Sequence, residues 1–120
     1  MKIHFFEEFP TKKNLEKLKL INFPSLVYVT AKSFKEFANL KKQIKKTNPK
    51  FEVAYWPVLE KSYWISPFSY NFELKKLYDD LLANKTKNSL KILLDLELPF
   101  LNKKLFLLNF ILVFLNLIPR

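Results

Sequence analysis

The residues of this chain best suited to chemistry are carboxylates at the ends of apolar runs. Asp95 and Glu97 lie in an otherwise apolar stretch from Lys91 to Pro99, and Glu7 and Glu8 close a similar stretch from Ile3 to Pro10. Strand side chains alternate faces, so Asp95 and Glu97 share one side while Ile92, Leu94, Leu96 and Leu98 fill the other. Paired carboxylates act as acid and base, or as nucleophile, in glycoside hydrolysis when their surroundings separate their pKa values. They also hold hard cations such as Mg²⁺ or Mn²⁺ through oxygen. The plainer role is capping, because the N-terminus of a following helix favours negative charge. Capping suits Glu8, just ahead of Thr11; for Asp95 and Glu97 both roles stay open.

At the first acidic run the parity divides the candidates. Ile3, Phe5 and Glu7 share one face, and His4, Phe6 and Glu8 the other. Glu7 is the preferred inward acid, because Ile3 and Phe5 make a plausible interior. His4 reads as a partly buried histidine bonded to backbone; were it to face inward, Glu8 would accompany it. The aromatic cluster Tyr55, Trp56, Tyr63 and Trp64 follows a third apolar run. Trp56, Tyr63 and Trp64 are candidates to stack on a sugar ring or another flat ligand, or else to form an apolar lid.

Composition removes several classes of chemistry. The chain has no cysteine, so neither disulfides nor thiolate nucleophiles are available, and a single histidine makes a zinc centre unexpected. No resident metal or cofactor is expected, Mg²⁺ or Mn²⁺ being the ions the carboxylates would take. There is no glycine either, which excludes the phosphate-cradling loops of P-loop and dinucleotide-binding proteins. Turns that need positive φ would fall to Asn48, Asn84, Asn88 and Asn102. The formal charge is +10, but Arg120 is the one arginine among 21 basic residues. Base readers and phosphate clamps favour the arginine fork. Solvated lysines on helix surfaces are therefore expected, and a nucleic-acid partner is not.

The elements that must position these groups follow from periodicity. Strands are expected at 3–9, 26–30, 51–57 and 90–98. Helices are expected from Thr11 to Ile21, from a capping box at Ser33 and Glu36, over 70–83, and from Asn102 to Leu117. The third helix places Phe72, Leu77, Tyr78, Leu81 and Leu82 at core spacing. This order, β-α repeated four times within one domain spanning 1–120, implies an α/β fold with a parallel sheet. Glu7 and Glu8 interrupt the first apolar run, so no secretory leader is expected and the compartment is expected to be cytoplasmic. Residues 105–118 are apolar nearly all round but fall short of the roughly 20 that span a bilayer. They are expected to be a buried or unpartnered helix, with membrane association as the alternative.

The acid and proline tips of these runs (Glu7, Glu8 and Pro10; Tyr55, Trp56 and Pro57; Asp95, Glu97 and Pro99) resemble the first four βα units of a (β/α)₈ barrel. The resemblance is to barrel hydrolases with acidic strand ends, such as glycoside hydrolases, and to poorly characterised prokaryotic relatives. It implies four βα units forming half of a TIM-type barrel, with an open four-stranded parallel α/β sandwich as the alternative. A carboxylate site of Asp95, Glu97 and Glu7 at the barrel mouth is implied with it. A full barrel takes roughly 250 residues. The chain therefore reads as an incomplete fragment, as a half that pairs with itself or with a second polypeptide, or as a complete open domain. The expected function is that of a barrel hydrolase's N-terminal part; the alternative is a non-catalytic interaction protein.

Overall fold

The computed structural model describes residues 2–61, 65–66, 69–84 and 90–96. Three strands, β1 (Ile3–Glu7), β2 (Ser25–Ala31) and β3 (Phe51–Pro57), form one sheet in the order β1-β2-β3. All are parallel, with Ile3 opposite Ser25 and Ser25 opposite Phe51. The connections are α1 (Lys12–Lys17) with a 3₁₀ turn at Leu18–Leu20, and α2 (Phe34–Thr47). A third helix, α3 (Asn71–Ala83), follows β3. The chain is therefore mixed α/β with a parallel sheet, as its periodicity predicts.

The helix starts are fixed by local chemistry. Thr11 Oγ1 accepts the Asn14 N–H at 3.3 Å, and Ser33 Oγ accepts the Glu36 N–H at 3.2 Å. The Glu36 carboxylate reaches back to the Lys32 N–H at 2.8 Å, so the expected box closes one residue upstream of the cap itself. The first strand stops at Glu7 rather than at residue 9, and α1 gives way to 3₁₀ geometry after Lys17.

The core lies on one face of the sheet. Leu15, Leu18, Phe37, Leu40 and Ile44 from the helical side pack on Val27, Val29, Phe51, Val53 and Tyr55. Every strand residue here is odd-numbered, as strand alternation requires. Burying each such aliphatic or aromatic side chain is worth roughly 1.5–3 kcal/mol. The even-numbered face carries Leu26, Thr30, Ala54 and Trp56, all buried, and Phe6, which is exposed but stacks on Tyr28 at 5.1 Å.

Over the described part of the fourth strand expected at 90–98, residues 90–96, there is no continuous strand but two isolated parallel bridges, Tyr55 with Ile92 and Ile65 with Leu96. Tyr55 donates its N–H to Lys91 O at 2.9 Å and accepts from Leu93 N–H at 2.8 Å. The segment therefore lies beside β3 and makes β3 an inner strand. Its apolar row of Ile92, Leu94 and Leu96 is exposed, so it lacks the packing that fastens β2 and β3 beneath α2. The last expected helix, 102–117, lies outside the described residues, as do Asn88 and Asn102. Asn48 and Asn84 have φ of −148° and −107°, so neither supplies a left-handed turn. Asn48 works through its side chain instead, its Nδ2 donating to Leu18 O at 3.2 Å and Ile21 O at 2.7 Å.

The largest departure from expectation is α3. Phe72, Tyr78 and Leu82, expected in the core, are exposed, while Glu73 is buried. This helix does not lie on the apolar face of the sheet. It sits toward the polar carboxyl edge, and its inward side is mixed: Glu73 is buried, Leu77 and Leu81 are half-buried, and Leu81 packs against the core.

Candidate active site at the carboxyl edge

Two clefts open where the strands end. The larger, of about 360 Å³, is lined among others by Lys32, Ser33, Glu60, Glu73, Lys76 and Asp80. The smaller, about 280 Å³, lies between the ends of β1 and β2 and includes Glu8, Thr11 and Glu36. Lys32 and Val58 line both. Open parallel sheets place their ligand sites in such a crevice, because the strand ends and the following helix N-termini converge there.

The α3 side of the larger cleft is built from residues seven apart, two helical turns, which share one face. Glu73 is 5% exposed, and its Oε1 accepts the Lys61 N–H at 2.7 Å. Asp80 reaches the first turn of α2, its Oδ2 accepting the Phe34 N–H at 2.6 Å. Asn84 Nδ2 donates to Asp80 Oδ1 at 3.1 Å. The carboxylate thus complements the positive end of the α2 dipole and fixes α3 over the cleft. Glu60 pairs with Lys76 at 3.5 Å on the exposed rim. Lys61 lies 5.3 Å from the Phe72 ring centre.

Beneath this rim Tyr55 is fully buried, stacked on Phe37 at 4.8 Å, and its hydroxyl finds no hydrogen-bond partner among the described residues. Burial pushes its ionisation far above the usual tyrosine range, and the charges of Asp80 and Glu36 push in the same direction.

Those candidate site residues that the structure describes do not line the larger cleft. Glu7 is on the helix-covered face with Phe5, and its Oε1 accepts from Phe9 N–H at 3.2 Å and Asn14 Nδ2 at 3.3 Å. It therefore anchors the loop into α1, the capping role assigned to its neighbour Glu8. Glu8 lines the smaller cleft, and its backbone carbonyl accepts from Thr30 Oγ1 at 2.5 Å. His4 is exposed and sets its ring edge-on to Tyr28 at 5.7 Å, rather than being partly buried. Trp56 is 6% exposed, edge-to-face with Phe6 at 6.1 Å. An inner strand buries it, so it offers no open ring to a ligand. Asp95 is half-buried beside β3 and lines neither cleft. Glu97, Tyr63 and Trp64 lie outside the described residues.

The groups that do line the larger cleft, Glu73 and Asp80 with Lys32 and Lys76, escaped a reading built on apolar spacing. Their signal was the seven-residue interval between the two acids, which places both on one helix face whatever the apolar residues do. Among the described residues no group of three or more histidine, aspartate or glutamate side chains is placed to hold a metal ion. Nor is any described helix long and apolar enough to cross a membrane. No family model, no curated protein and no solved structure matches this chain.

Proposed function

We propose that this chain binds a small polar molecule in the carboxyl-edge cleft and acts on it through carboxylates, in the manner of the acid-tipped barrel hydrolases it resembles. The observation that carries the reading is the buried carboxylate of α3, Glu73, turned inward while Phe72 and Tyr78 are left exposed. A helix serving only as cover would bury the aromatics, since each is worth more out of water than a carboxylate is. Lys32 and Lys76 supply positive charge to the same cleft. Together with the acids they suit a hydroxyl-rich or zwitterionic ligand.

In this reading Glu73 is the acid–base group, because its carboxylate is buried on the cleft side of α3. Asp80 is a positioning residue that holds α3 on α2. The sequential order of the parallel strands, the bridge beside β3 at Ile92, and the placement of α1 and α2 on one face support the half-barrel layout. A second copy or a second polypeptide would complete it.

The test is a screen of the full chain against mono- and disaccharides and their aryl glycosides, by calorimetry and chromogenic release. Binding or turnover that falls at least tenfold in Glu73→Gln, with the fold unchanged by circular dichroism, is the expected result. Turnover that survives the substitution intact would remove Glu73 from the chemistry.

A second reading, an interaction protein without catalysis, draws on the exposed apolar row of Ile92, Leu94 and Leu96. Under it, the glycoside screen is silent and the chain self-associates or captures a partner through that row.

A further inference from the structure

Both edges of the sheet carry lysine, but most of the acids lie at one of them. Glu7, Glu8, Glu36, Glu60, Glu73 and Asp80 gather at the carboxyl edge, through the strand ends, the start of α2 and the inward side of α3. The opposite edge is lysine-rich. The helices run back from the carboxyl ends of the strands, so α1 and α2 deliver their last turns to the amino edge. Those turns carry Lys17, Lys19, Lys45 and Lys46, and Lys50 precedes β3. From Phe37 to Phe51 the sequence has no acid.

Among the described residues the ion pairs are Lys2 and Lys91 with Glu52, and Lys76 with Glu60. None of the lysines on the last turns takes part. The acids at this edge are Glu16 on α1 and Glu52 at the start of β3, the latter taken up by Lys2 and Lys91. Lysines four apart on α2, Lys41 with Lys45 and Lys42 with Lys46, repel one another and weaken the isolated helix.

The same edge bears an apolar tip. Leu20 is 84% exposed, and Phe23 beside it is 38% exposed. The tip is held in place from below. Asn48 bonds Leu18 O and Ile21 O, and Lys50 Nζ donates to Asn22 O at 2.8 Å. Lys45 Nζ ties back to Pro49 O at 3.3 Å. A leucine offered to solvent on a fixed loop, on the same edge as lysines that have no carboxylate partner among the described residues, is the combination that an anionic bilayer surface rewards. The lysines meet lipid phosphates and carboxylates, and the leucine enters the acyl boundary. A nucleic-acid backbone would use the lysines but gains nothing from Leu20, which has no ring to stack on a base.

We infer that the amino edge of the sheet, Leu20 and Phe23 with Lys17, Lys19, Lys46 and Lys50, is a peripheral docking surface for an anionic lipid bilayer. Docked this way, the carboxyl-edge cleft faces the aqueous side. The contact is superficial and reversible, and it is separate from any membrane role of residues 105–118.

The experiment is sedimentation of the full chain with vesicles of phosphatidylcholine alone and of phosphatidylcholine with 30% phosphatidylserine, with circular dichroism on every variant. Binding is expected to the anionic vesicles and not to the neutral ones, and to fall as salt rises. Charge reversal at Lys19 or Lys46, neither of which makes a side-chain hydrogen bond or ion pair among the described residues, should weaken it about fivefold each. Leu20→Ser should weaken it roughly tenfold while leaving the charge unchanged. Equal binding to neutral vesicles would overturn the inference, as would no binding to anionic ones. Undiminished binding by the Lys19→Glu, Lys46→Glu double variant would place the contact elsewhere and overturn it too. So would a short RNA or DNA duplex that displaces the vesicles and binds Leu20→Ser as well as the parent chain.

Discussion

Helices α2 and α3 have nearly equal lengths, and α3 has the larger share of apolar residues, seven of 13 against five of 14, yet α3 buries its apolar side less completely. The first buries Phe37, Leu40 and Ile44 and turns its lysines to water. The second buries Glu73 and turns Phe72, Tyr78 and Leu82 to water. What differs is the surface underneath. The α2 helix lies along the apolar, odd-numbered face of β2 and β3, where each turn meets a Val or Phe. The α3 helix crosses the strand ends, where peptide groups and helix N-termini need partners, and a carboxylate satisfies them better than a ring can. Amphipathicity in a sequence identifies two faces of a helix; the terrain decides which one goes in.

Large-to-small substitutions test the contrast most directly. Ile44→Ala, at a site with no exposure, should cost about 3–4 kcal/mol in urea denaturation, whereas Leu82→Ala, at 51% exposure, should cost below about 1 kcal/mol. Similar losses at the two sites would mean that α3 buries its apolar side after all.

The polar anchor comes next. Asp80→Ala removes the acceptor for the Phe34 N–H and the charge at the start of α2, and should cost about 1–2 kcal/mol. Asp80→Asn keeps an acceptor and should recover part of it. An alanine variant as stable as the parent would show that α3 is not fastened through this residue.

The buried hydroxyl gives a smaller effect of opposite sign. Tyr55→Phe removes an unpartnered polar atom from between the two helices and should be neutral or stabilising, by up to about 1 kcal/mol. Because the folded state resists ionising Tyr55, the unfolded chain releases that proton first. Stability should therefore decline as pH rises above about 10 in the parent, and less so in Tyr55→Phe. A destabilising Tyr55→Phe would reveal a bond to that hydroxyl.

The smallest effect belongs to an ion cluster at the start of β3. Lys2 and Lys91 flank Glu52 and, chiefly through hydrogen bonds, hold its carboxyl down at about 2. A depressed carboxyl stabilises the fold above its unfolded value near 4.5, and that contribution disappears as pH falls toward 2. The side chain is 38% exposed, so solvent screening should keep the gain below about 1 kcal/mol. Glu52→Gln should flatten the acid limb of the stability profile in that window, and added salt should mimic it. An acid limb of unchanged steepness would assign it to other carboxylates.

The sequence carried the fold much further than the site. Period-two runs identified three strands, and the hydroxyl caps at Thr11 and Ser33 identified two helix starts, because both signals are local. The inward choice of Glu7 over Glu8 failed because parity alone does not say which face the helices cover. That depended on α1 and α2 both packing against odd-numbered positions. Glu73 and Asp80 were passed over for the same reason: their role exists only once β2, β3 and the start of α2 meet at one edge.

Asn48 has a further consequence, one of chemical durability. Asparagine ages to aspartate when the peptide nitrogen of the next residue attacks its side-chain amide. Pro49 has no N–H with which to begin that reaction. The protection falls where it is needed, because an aspartate here would set a carboxylate against the carbonyl oxygens of Leu18 and Ile21. The clamp between the end of α1 and the end of α2 is thereby sheltered from spontaneous decay over the protein's lifetime.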